Sequence, residues 1–135
     1  MDHAPVSESN VRRLVIVSAI LGALGVAAGA FGAHGLADKV SPRLLDVWNT
    51  AVRYQMWHVL AILSIVLGRP RCLAQSLASA ACVAWLLGII VFSGSLYALV
   101  LSGVGLLGAV TPLGGIALIA GWVLLACAAL RHSQE

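Results

Sequence analysis

The chain has 135 residues, 61% of them hydrophobic and 10% charged, with a net charge of +3. An ordinary soluble domain is about 25% charged, so this chain lacks the polar surface that water demands and reads as one membrane-embedded domain. Its eight basic residues flank apolar runs instead of clustering, which excludes a nucleic-acid footprint.

Residues 1–11 are polar, include Pro5 and read as a flexible tail. Arg12 and Arg13 lead into an apolar run at 14–34, longer than the roughly 7–15-residue apolar region of a signal peptide, so it is expected to remain as a first membrane span. Within it Gly22, Gly25, Gly29 and Gly32 recur every three or four residues. Glycines on one helix face form a groove that admits another backbone, which marks this stripe as a packing seam.

A polar connection over 36–40 ends at Ser41 and Pro42, a hydroxyl cap followed by proline at the first helical position. Residues 42–53 are amphipathic: Arg43, Asp46, Thr50 and Arg53 share one face, and Leu44, Val47, Trp48 and Ala51 the other. This segment should lie in the headgroup layer. The second span, 54–68, is short and is expected to continue the last turn or two of that helix, until Gly68, Arg69, Pro70 and Arg71 break it.

The third span, 73–101, exceeds a hydrocarbon thickness of about 30 Å, and Gly94 between Ser93 and Ser95 is the expected bend. A glycine-rich connection over 102–110 follows. Thr111 and Pro112 repeat the cap-and-proline start, the fourth span covers 111–130, and 131–135 form a second tail. The fold class is therefore all-α, a polytopic bundle of four transmembrane helices with an interfacial helix before the second span.

Basic residues in short loops set orientation. Arg12, Arg13, Arg69, Arg71 and Arg131 fall on one side, and Lys39, Arg43 and Arg53 on the other, which predicts both termini in the cytoplasm. The same threading carries His34, Tyr54, Gln55, His58, Ser93, Ser95, Tyr97 and Thr111 to the outer rim. Polar groups at that depth need partners, because an unsatisfied one in hydrocarbon costs several kcal/mol. The bland reading is a hydrogen-bonded staple between helices. The functional one is an outward-opening site for a lipid headgroup, a quinone or a metal-containing cofactor.

Trp48, Trp57, Trp85 and Trp122 read as interface anchors or packing residues, and Cys72, Cys82 and Cys127 as small hydrophobes without metal spacing. All five carboxylates lie outside the apolar runs, which disfavours an ion-coupled transporter. No phosphate-binding loop, nucleophile elbow or zinc-protease helix is present, so no catalytic residue is assigned.

Four motifs in order, GAFGAHGL at 29–36, TAVRYQMWH at 50–58, FSGSLY at 92–97 and TPLGG at 111–115 with GW at 121–122, resemble the domain-of-unknown-function 423 family over about residues 12–130. That family comprises small bacterial membrane proteins, and the vertebrate transmembrane protein 256 is similar. The resemblance implies four membrane helices in a bacterial inner membrane and supplies no catalytic role. It also implies that the rim cluster is the family's signature region, since the matched motifs converge there.

The favoured function is a non-enzymatic membrane module, an accessory or assembly partner that docks through its glycine seam and binds membrane lipid. Its expected partners are lipids and either further copies of itself or another membrane protein. No cofactor is expected. One alternative is a redox protein holding haem through His34 and His58. Another is an oligomeric channel or facilitator lined by Gln55, Ser93, Ser95 and Tyr97.

Overall fold

The computed structural model describes residues 8–68, 70 and 72–132, the side chain of residue 132 excepted. The sequence expectations for Arg69, Arg71 and the ends of both tails lie outside the described residues. Those residues form four long helices: α1 (Glu8–Phe31), α2 (Pro42–Gly68), α3 (Gln75–Ser102) and α4 (Thr111–His132). Each is long and apolar enough to cross a bilayer.

Helix α1 begins inside the segment read as a tail, with residues 8–11 already helical. Glu8 in the first turn suits the positive end of the helix dipole, and Arg12 and Arg13 are exposed. At its far end the helix widens into a π-helical turn, Gly32–Leu36, so helical backbone continues past His34 and Gly35. The interfacial segment and the second span run together as one unbroken helix. Ser41 caps it weakly, its Oγ accepting from the Leu44 N–H at 3.4 Å. Nothing between 42 and 68 interrupts the backbone ladder, because that stretch holds no glycine or proline after Pro42 until Gly68.

Helix α3 likewise passes through Gly94 as continuous α-helix. The Ser93 hydroxyl donates to Ala51 on α2, and that of Ser95 pairs with Thr111 on α4 while sharing the Phe92 carbonyl of α3, and the α3 ladder continues unbroken. Gly103, at φ 71°, closes α3 in the left-handed region and donates its N–H to Leu99, leading into a short 3-10 turn at Gly105–Ala109. Thr111 opens α4 as expected, but its hydroxyl is turned to Ser95 at 2.8 Å and Leu107 at 3.4 Å and so serves α3 and the preceding turn.

The helices pack in series, α1 on α2, α2 on α3 and α3 on α4. Two small-residue seams set the closeness of approach. In the first, Gly22, Gly25, Gly29 and Gly32 face Val59, Met56, Val52 and Trp48 of the antiparallel α2. The seam is thus filled by the chain's own next helix and offers no groove to a partner. In the second, Gly114 lies against the Phe92 backbone, Gly121 against the Trp85 indole, and Gly88 of α3 against Leu118. Because lipid tails are as apolar as these side chains, such seams gain dispersion energy and not hydrophobic energy. The best-buried core, Val59, Ile62, Cys82, Trp85, Ile89 and Leu118, lies where α2, α3 and α4 meet.

Candidate functional site

Five of the rim residues fall into two groups at different depths. The upper one hinges on Gln55, which is buried on α2. Its Nε2 donates to the Leu21 carbonyl of α1 at 2.6 Å, and its Oε1 accepts from the Tyr97 hydroxyl of α3 at 2.9 Å. One amide therefore ties three helices. Nearby, the Trp48 indole donates to the Ala28 carbonyl at 2.8 Å and packs at a tilt against Tyr97 with ring centroids 4.6 Å apart. Ser93 donates to the Ala51 carbonyl at 2.8 Å.

The glycine stripe explains why α1 carbonyls are available. A helical side chain leans back over the turn before it, so residue i+4 shields the carbonyl of residue i. Gly25 leaves Leu21 uncovered, and Gly32 leaves Ala28 uncovered. These are the two α1 carbonyls that Gln55 and Trp48 use.

The lower group is centred on His58, 4% exposed, on the face of α2 toward α4. Trp122 donates its indole N–H to His58 Nε2 at 3.1 Å, and His58 Nδ1 lies 2.7 Å from the Tyr54 carbonyl. An indole only donates and a carbonyl only accepts, so this pair of contacts fixes the neutral ring with its proton on Nδ1. Tyr54, Trp85 and Trp122 surround the imidazole and Phe92 extends the aromatic set through Tyr54, with the Trp85 and Trp122 centroids 4.8 Å apart.

Beside this pair a groove of about 680 Å³ opens on the outer surface of the bundle between α2 and α4. Tyr54, Trp57 and Leu60 form one wall, Gly115, Ile119 and Trp122 the other, and Phe92 of α3 lies at the base. Its surface is overwhelmingly apolar and aromatic.

Five of the eight rim residues join these groups, Ser95 and Thr111 form a separate pair between α3 and α4 at 2.8 Å, and His34 joins none of them. It is exposed on the π-helical turn, at the level of Trp48, which Gly32 touches. Trp48 lies ten residues from His58 on α2, about 15 Å along the helix axis. His34 and His58 are therefore not assembled as a ligand pair, and both His58 ring nitrogens are already engaged. Among the described residues no cluster of three His, Cys, Asp or Glu side chains could hold a metal ion. Gln55, Ser93, Ser95 and Tyr97 all spend their polar atoms on bonds between helices, to α1, α2, α4 and each other.

Sequence reasoning placed Trp122 among anchors and packing residues and missed its bond to His58. A signal was present: tryptophan prefers the interface, whereas Trp122 falls eleven residues into a span that starts at Thr111.

Residues 28–115 match the model of a family described as "Protein of unknown function (DUF423)". The chain belongs to the DUF423 family. The match runs from the end of α1 to the start of α4, taking in all eight rim residues but not Trp122. This DUF423 protein is 40% identical over 120 residues to the UPF0382 membrane protein YwdK of Bacillus subtilis, covering 87% of this chain and 96% of that one. It is 43% identical over 121 residues to a UPF0382 membrane protein of Staphylococcus epidermidis, covering 88% and 96%. No solved structure matches it.

Proposed function

We propose that this DUF423 protein is a non-enzymatic membrane module that holds a membrane lipid in the groove between α2 and α4. The observation that carries the reading is the groove itself: about 680 Å³, walled by aromatic and aliphatic side chains, and open on the outside of the helix bundle. Small-molecule sites are typically about 300–1,000 Å³, mostly apolar, with a few fixed polar groups. The His58–Trp122 bond, with both partners already satisfied, fixes the two walls of this one relative to each other. Docking of a partner through the glycine stripe is less favoured, because α2 occupies it.

Gly115 provides the test. A Cβ there would approach Phe92 no closer than 3.8 Å, so Gly115→Leu projects into the groove without disturbing the helix seam. Native mass spectrometry of protein released from membranes is expected to show the wild type with bound lipid and Gly115→Leu without it. Equal lipid on both would refute the proposal.

The reading places the protein in a bacterial cytoplasmic membrane with both termini cytoplasmic, on the basic-residue asymmetry given above. A reporter fused after Glu135 that is active only outside the cytoplasm should be silent. Activity there would reverse the orientation.

A further inference from the structure

The exposed stripe of α2 changes character at one level. Reading down the helix at spacings of three, four or seven residues, Arg43, Asp46, Arg53, Trp57 and Leu60 are all exposed, charged as far as Arg53 and apolar from Trp57 onward. Arg53 and Trp57 are one turn apart, about 6 Å along the axis. The groove begins there, with Tyr54 and Trp57 at its upper end and Leu60 deeper. A cation therefore stands on the lip of an apolar slot, with two aromatic side chains carrying polar handles directly beneath it.

Resting on the lipid reading above, we infer that the occupant is an anionic glycerophospholipid, its phosphate on Arg53 and one acyl chain in the groove. In the structure Arg53 makes a 3.6 Å contact with Asp46 and donates to Thr50 at 3.1 Å. Both members of that ion pair are well exposed, with side-chain exposures of 56% and 78%, so the pair is weak and replaceable. The two non-bridging oxygens of a phosphodiester accept charge-assisted hydrogen bonds from the guanidinium. Asp46, three residues from Arg43, is placed to pair with that arginine once Arg53 is taken. Two cations against one carboxylate leave the stripe positive. That balance favours a headgroup with net negative charge over a zwitterionic one, whose ammonium would need Asp46 for itself.

The test uses the full chain in mild detergent, equilibrated with an equimolar mixture of phosphatidylglycerol, phosphatidylethanolamine and phosphatidylcholine and read by native mass spectrometry. The wild type should carry phosphatidylglycerol about fivefold over either zwitterionic lipid, the scale of one basic residue at an anionic surface. Arg53→Gln should still carry lipid but without preference, and Arg53→Lys should retain it. No preference in the wild type, a preference for phosphatidylethanolamine, or a ratio unchanged by Arg53→Gln overturns the inference. The Gly115→Leu arm keeps the two readings apart. Lipid lost from that variant with a flat lipid ratio in the wild type leaves the groove reading standing and removes only the anionic assignment. Lipid retained by it, or a lipid-free dimer in the wild type, removes both.

Discussion

Gly25 and Gln55 illustrate how one residue type depends on another across a helix pair. The glycine exposes a carbonyl, and the amide, which could not stay unpaired in hydrocarbon, uses it while also accepting from Tyr97. The sequence already placed Gln55, Ser93, Ser95 and Tyr97 at a common depth, because depth follows from counting along apolar runs. It could not tell which backbone carbonyls would be open, since that depends on which face of α1 meets α2. His34 shows the complementary limit: its depth was readable, but its outward direction on a π-helical turn was not.

Hydrogen-bonding state should decide how polar substitutions behave. Trp122→Phe keeps an aromatic side chain but removes the N–H and strands the His58 acceptor, and is expected to lower stability by at least about 0.6 to 1.7 kcal/mol, the range for polar pairs between membrane helices. The Ser18 hydroxyl, fully buried on α1, has no hydrogen-bond partner. Ser18→Ala should therefore leave stability unchanged or raise it by about 1 kcal/mol. Detergent-unfolding curves followed by circular dichroism compare the two. Greater harm from Ser18→Ala would contradict this assignment.

At the scale of elements, spans were legible because about 20 uncharged residues in a row admit few other readings. Interruptions were less so. Glycine at 94 between two serines resembles a break, but the serines bond to other helices and the ladder continues. Likewise the α3–α4 seam escaped notice: Gly114 and Gly121 are seven apart, and their meaning depends on Phe92 and Trp85 opposite. The two kinds of glycine should separate cleanly on substitution. A Cβ on Gly114 would collide with the Phe92 backbone, so Gly114→Ala must push the helices apart, at about 1–3 kcal/mol. Nothing lies within 4 Å of a Cβ on Gly94, so Gly94→Ala should be neutral or stabilise by about 1 kcal/mol. Thermal unfolding of both variants in the same detergent checks the contrast, and equal melting points would sink it.

For the whole molecule, serial packing has a consequence that composition does not reveal. Helices α2 and α4 both lie on α3, and their walls meet through His58 and Trp122 while leaving Phe92 at the base of an open slot between them. Helix count and order were readable from one sequence, but the slot arises from crossing geometry, to which side chains on three helices contribute. The most direct check is a photoactivatable phospholipid with its reactive group on the acyl chain, cross-linked in native membranes and mapped by peptide sequencing. The account predicts adducts concentrated on Trp57, Leu60 and Ile119, well above those on the equally exposed Ile20 and Leu24 of α1. Labelling spread evenly over both faces would contradict a lipid held between α2 and α4.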